Sequence, residues 1–359
     1  MTKPSRLKTG DKVAIVSLSS GILGESFIKH ELDLGIKRLE EFGLTPVFMP
    51  NSLKGLDFIE KHPEARADDL KQAFADKEIK AVICAIGGND TFRTLPFLMN
   101  DEQFKQNVKN NPKIFLGYSD STTNHLMFQK LGLNTFYGQA FVTDLAEFEP
   151  EMLAYSKNAF EYLFNPTSNY QIKSSEFWFK DRTDFSPAAV GTLREKFVET
   201  NGYELLQGSK NATGELLGGC IEILGDHAGL ATNNFEEIEK IRKESPVFPT
   251  LDEWTGKIMF IETSEQKLSP ENYRIIIQKF KELGVFGKIN GLLVGKPIDE
   301  AFYEEYKQIL KEELKDFDIP VLYNLNFGHS YPHAIIPYGA LAEIDVKNKT
   351  LTVLNTTIN

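Results

Sequence analysis

Two cysteines, Cys84 and Cys220, are all that this 359-residue chain contains. They lie far apart and without metal-type spacing, so neither a disulfide framework nor a cysteine metal site is expected. Cys84, inside "IKAVICAIGG", reads as a buried structural thiol. No uninterrupted apolar run approaches the roughly 18 residues that a membrane helix needs. The run from Val13 to Leu18 is also too short for a signal-peptide core and reads as a first strand, which points to a cytoplasmic protein. Basic residues are in deficit. Forty Lys and Arg face 51 Asp and Glu, and a net charge of −11 would repel a phosphate backbone, so nucleic acid is not an expected partner. Neither a Gly-x-Gly-x-x-Gly run nor a Walker lysine is present, which leaves a phosphate-cradling loop unsupported.

What is present is the composition of a globular protein, 41% hydrophobic and 25% charged, long enough for two domains. Over residues 1–150, strand-like and helix-like segments alternate. "KVAIVSL", "TPVFMP", "IKAVICAIGG" and "KIFLG" are strand-like. Between them, Leu32, Ile36, Leu39 and Phe42 form a helical stripe closed by Gly43, and "ARADDLKQAFAD" and "STTNHLMFQKLG" are helix-like. This alternation predicts an α/β N-terminal domain with a doubly wound, mainly parallel sheet, whose ligands bind at the carboxyl ends of the strands. Residues 151–210 lose the rhythm and read as a connecting segment and loop. From 211 to 359 regular elements return as a mixed α/β C-terminal domain. It holds the strands "GKIMFIE", "INGLLVGK" and "IPVLYN", a helix capped by Ser269 with Pro270 first and Gly284 after its end, and a closing hairpin "LAEIDVKNKTLTVLN".

"FLGYSDSTT" sets Ser119 between a strand and a helix. Ser119 is either a helix N-cap or a nucleophile on a strained strand-to-helix turn. A nucleophile needs a base and an orienting group. Among six histidines, His329 is the best placed, in the turn-rich "NLNFGHSYPHAIIPYG" that follows a strand. His30, His62 and His125 have no special company, and His227 is ambiguous. Glu262, at the end of apolar "KIMFIE", is a carboxylate that needs a partner, by ion pairing or by orienting a base. A metal site of His329, His333 and Glu262 is the rival chemistry, weakened by Pro332, which precludes a regular helix through the two histidines. Adjacent Gly87 and Gly88 let the backbone approach a ligand. The amides of Gly88 and Asp120 could hold an oxyanion, or the glycines could form a plain turn.

Taken together, "LKTGDKVAIVSLSSG", "AVICAIGGND", "FLGYSDSTT", "GELLGGCIEIL", "GKIMFIET" and "NFGHSYPHAIIPYG" resemble the LD-carboxypeptidase family of serine peptidases. That family includes muramoyl-tetrapeptide carboxypeptidases and microcin C immunity (MccF-like) enzymes. The resemblance implies Ser119 as nucleophile, Glu262 as orienting carboxylate and His329 as base, with Gly88 and Asp120 as backbone donors to the oxyanion. It implies no cofactor and no metal, and a homodimer. "IGGND" looks more like the MccF-like branch, which would place Gly87 and Asn89 beside the substrate. "SSEFWFKDRTDF" resembles that branch's substrate loop, where Trp178 would stack on a nucleobase unless the aromatics pack between domains. "GGCIEIL" departs from the family's usual Gly-Gly-Asn. The substrate expected is a small peptide or aminoacyl-nucleotide, with a murein tetrapeptide ending in D-alanine as the alternative. A non-enzymatic ligand-binding protein is the remaining reading.

Overall fold

A computed structural model describes residues 1–230 and 236–359. The strands are, in order, β1 (Lys12–Val16), β2 (Thr45–Phe48), β3 (Ile79–Cys84), β4 (Ile114–Gly117), β5 (Thr135–Tyr137), β6 (Tyr170–Ile172), β7 (Phe177–Phe179) and β8 (Lys196–Val198). They continue with β9 (Glu204–Gln207), β10 (Ala212–Cys220), β11 (Ile258–Glu262), β12 (Gly291–Gly295), β13 (Val321–Leu325), β14 (Ile336–Tyr338), β15 (Leu341–Asp345) and β16 (Thr350–Val353). One sheet runs β2-β1-β3-β4-β5-β14, parallel except for β14, which pairs antiparallel with β5. The other runs β6-β16-β15-β10-β11-β12-β13-β9, with a parallel centre from β10 to β13. The chain is therefore α/β with a parallel-rich sheet in each half.

Alternation along β1 shows why the first sheet is covered on both faces. Ala14 and Val16 pack with Leu70 and Phe74 of the helix Pro63–Ala75. Their neighbours Val13 and Ile15 pack instead with Leu39 of the helix Lys29–Glu41 and with Phe141 and Phe160. A strand apolar at every position suits two such faces. The first of these cores continues without a break into Leu216, Ile258, Phe260 and Leu293 of the second sheet. Both helix boundaries follow local chemistry. Gly43 after the first helix has φ +74°, and the helix Pro270–Glu282 begins at Ser269, whose hydroxyl accepts from the Asn272 amide. The terminal hairpin is β15–β16.

Residues 151–210 carry more structure than a connection. They hold the helix Ala154–Glu161, the separate two-stranded β7–β8 unit, and the outermost strands of the second sheet, β6 and β9. In the reverse sense, β14 leaves the C-terminal half to close the edge of the first sheet. No helix among the described residues is long and apolar enough to cross a membrane. Both cysteines are buried free thiols, and burial pushes Cys84 up to about 12.

The loop after β3 is pinned from beneath. Arg66, fully buried, grips Asp90 with two bonds (2.7 and 3.1 Å) and also donates to the Leu18 carbonyl. Removing one partner of a buried pair leaves the other charge stranded. Arg66→Met should therefore destabilise the fold by about 3–5 kcal/mol, read as a lower denaturant midpoint at unchanged slope. An unaltered midpoint would show that Arg93, which also reaches Asp90 at 3.1 Å, suffices alone.

Candidate active site

Five chain segments meet where parallel strands end. Ser119 follows β4, Gly87 and Gly88 follow β3, and Tyr137 ends β5. From the second sheet, Glu262 ends β11 and His329 lies four residues beyond β13. This is the position at which open parallel sheets offer a crevice. Ser119 has φ +61°, in the left-handed region, and the next residues enter the helix Thr122–Lys130. Such a backbone costs on the order of 1–3 kcal/mol for a residue with a side chain, and it lifts the hydroxyl out of the turn. Gly87 permits the bend, because a Cβ there would stand 2.8 Å from Ser119 Cβ.

The polar groups form a closed circuit. His329 Nε2 lies 3.0 Å from Ser119 Oγ, and Nδ1 lies 2.7 Å from Glu262 Oε2. A carboxylate only accepts, so the ring donates through Nδ1 and presents Nε2 to the hydroxyl. The other Glu262 oxygen accepts from the Tyr137 hydroxyl (2.6 Å), which itself accepts the Ser119 amide (3.1 Å). Glu262 is nearly inaccessible, yet both its oxygens are satisfied, which is how a buried carboxylate is tolerated. A Cβ on Gly328 would fall 2.5 Å from Glu262 Oε2, so that position has to be glycine for the loop to pass. Tyr137 was not anticipated from sequence, although it sits at a strand end by the same rule that singles out Ser119.

Burial alone would push His329 down, but the Glu262 carboxylate, and with it Glu265, outweighs burial and holds the imidazole well above its ordinary value. The remaining histidines are engaged elsewhere. His125 bridges Thr135 and the Gly117 carbonyl, and burial lowers it to about 3. His227 meets Thr123 and is lowered by burial to about 4. His333 Nδ1 faces Asp144 at 2.8 Å. Among the described residues no group of three or more His, Cys, Asp or Glu could hold a metal ion.

Asp120 turns its carboxylate away from Ser119 to accept from Ser19 Oγ (2.6 Å) and the Thr91 amide (2.8 Å), and burial raises its pKa. This ties the turn after β4 to the loop after β3, next to the exposed Gly88 and Asn89. Two cavities open on Ser119 and Gly88. One, about 450 Å³, is bounded by Asn89, Cys220, Glu222 and Ser264. The other, about 580 Å³, has aromatic walls from Tyr118, Phe148, Phe185 and Tyr331, with Glu31 raised by burial to about 7. Trp178 lines neither. It stacks on Phe197 across β7–β8 (centroids 4.3 Å apart, planes at 13°), with the Lys296 ammonium 5.1 Å from its ring. The structure does not bring Trp178 to the cavities that open on Ser119, because the pairing of β7 with β8 sets it against Phe197.

A hydroxyl, an imidazole and a carboxylate linked in this order, beside an aromatic cavity, define the setting of a hydrolase. The comparisons with known proteins narrow the class to a peptidase. Residues 13–138 match the LD-carboxypeptidase N-terminal domain, and residues 213–344 match its C-terminal domain. The chain belongs to the LD-carboxypeptidase family. It is 47% identical to an MccF-like protein from Streptococcus pneumoniae crystallised with AMP, over 97% of this chain and all of that one, with a TM-score of 0.91. It is 26% identical to the microcin C7 self-immunity protein MccF of Escherichia coli, over 80% of this chain and 77% of that protein. A Bacillus subtilis (strain 168) protein that carries a murein peptide carboxypeptidase name is 28% identical, over 98% and 94% of the two chains.

Proposed function

We propose that this peptidase hydrolyses the amide bond of a peptidyl- or aminoacyl-nucleotide through an acyl-enzyme, with Ser119 as nucleophile, His329 as base and Glu262 as orienting group. The observation that carries the reading is the Ser119–His329–Glu262 hydrogen-bonded chain at the mouth of an aromatic cavity. His329 Nε2 takes the Ser119 proton as Oγ bonds to the carbonyl carbon. The carbonyl oxygen becomes an oxyanion, held by the amides of Gly88 and Asp120. As the carbon–nitrogen bond breaks, Nε2–H returns the proton to the leaving nitrogen. Water, deprotonated by the same imidazole, then cleaves the ester and restores the hydroxyl.

AMP in the streptococcal relative, with nearly half its residues identical, favours a nucleotide for the aromatic cavity. Phe185, half exposed on the cavity wall, offers a face on which a base would stack, with Gly87 and Asn89 beside the reacting bond. Trp178 would take part only by leaving Phe197. The Bacillus relative keeps a murein tetrapeptide as the second reading. The deciding experiment offers both side by side: a peptidyl-adenylate with an acyl-phosphoramide link, and a tetrapeptide ending in D-alanine. We expect kcat/KM at least about tenfold higher for the nucleotide, a margin of about 1.4 kcal/mol. Faster release of D-alanine would overturn that choice. The short first apolar run supports a cytoplasmic protein, and the family resemblance a homodimer, whose assembly light scattering of the purified protein tests.

A further inference from the structure

Beyond Glu262, a second carboxylate reaches the same imidazole. Glu265 Oε2 lies 3.1 Å from His329 Nε2, the nitrogen that also faces Ser119 Oγ at 3.0 Å. Glu265 stands in the turn three residues past Glu262 and borders both cavities, with its side chain 59% exposed. A carboxylate this close to Nε2 favours the ring that carries a proton there, because the opposite charges attract and a bare nitrogen lone pair would face the carboxylate's own. A base whose nitrogen already holds a proton cannot take one from serine. Glu262 is buried and fixed, whereas Glu265 is free to swing toward solvent.

We infer that Glu265 is a retractable cap on His329, a positioning residue that stores a proton on Nε2 in the resting enzyme and must withdraw before Ser119 is activated. The inference rests on the assignment of His329 as base. It sets the sign of a pH effect. His329 is active when neutral, so kcat/KM climbs as pH rises through its pKa. A carboxylate on Nε2 favours the charged ring and moves that climb to higher pH. The other groups around the ring do not offset it. Glu262 acts in the same direction, Tyr137 is committed to Glu262, and Tyr118 offers its ring at 5.0 Å. Asp120 is bound to Ser19 and Thr91, and His333 to Asp144. Across the cavities, Arg194 and Arg182 are paired with Glu147, Lys267 with Asp299, and Glu222 accepts from the Ser264 amide and hydroxyl.

The test is Glu265→Ala, followed by the kcat/KM profile against pH and by NMR titration of the His329 ring. The expected result is a shift of the acid limb to lower pH by about one unit, with activity at the foot of that limb raised several-fold. The imidazole resonance should move by the same amount, whether or not the chosen substrate is turned over. A resonance that does not move, or activity lost evenly at every pH, would overturn the cap. A resonance that moves while the limb stays put would preserve the contact but remove His329 as base, and the inference would fall with that assignment.

Discussion

Replacing Ser119 by alanine should lower hydrolysis by about 10⁴- to 10⁶-fold while leaving the unfolding midpoint nearly in place. The two halves of this expectation have separate causes. Only Oγ can form the acyl bond, and a triad that loses any member keeps just the residual help of binding and oxyanion donors. The backbone at φ +61° is as strained for alanine as for serine, so the elbow itself gains or loses little. Steady-state kinetics beside a thermal melt separate these effects. Near-normal turnover by the variant would remove Ser119 from the chemistry and leave it as the start of a helix.

Glu262→Gln should cost on the order of 10⁴ in kcat, by the same logic as other triads whose orienting carboxylate becomes an amide. Here the circuit makes the reason specific. Glu262 accepts twice, from His329 Nδ1–H and from the Tyr137 hydroxyl. Glutamine can accept from one and must donate to the other. If its NH₂ faces the ring, His329 moves its proton to Nε2 and no longer serves as base. If its NH₂ faces Tyr137, that hydroxyl, already accepting the Ser119 amide, must turn its proton elsewhere. Either way the charge beside the imidazolium is gone. Activity within tenfold of the parent would mark Glu262 as a packing residue.

Strand ends made the central residues legible. Ser119, Glu262 and His329 each follow a compact apolar run, and parallel sheets expose what lies just beyond such runs. Their mutual approach was not legible, because nothing in "KIMFIE" or "NFGHSYP" says which sheet end faces "GYSDS". Tyr137 stayed hidden for a related reason: β5 is three residues long, and a tyrosine there looks like core. Glu265 gives no such signal, standing in a polar turn beside the more conspicuous Glu262. The resemblance and the chemistry of indole both suit Trp178 to a stacking face, but the pairing of β7 with β8 that sets it on Phe197 leaves no periodic signature in strands of three residues. The same brevity disguised β6 and β9, whose roles at the edges of the second sheet depend on partners more than a hundred residues away.

One stretch of chain belongs to both sheets at once. His329 lies on the ten residues that leave the second sheet at Leu325 and enter the first at Ile336. Cutting the molecule into its two family segments would therefore not yield two small working parts. The front piece would be left with a bare β5 border inviting foreign strands, and the back piece with an imidazole on a tether that has lost its far anchor. Recombining halves from different relatives would meet the same obstacle, since this strap would have to match a frame it did not grow with.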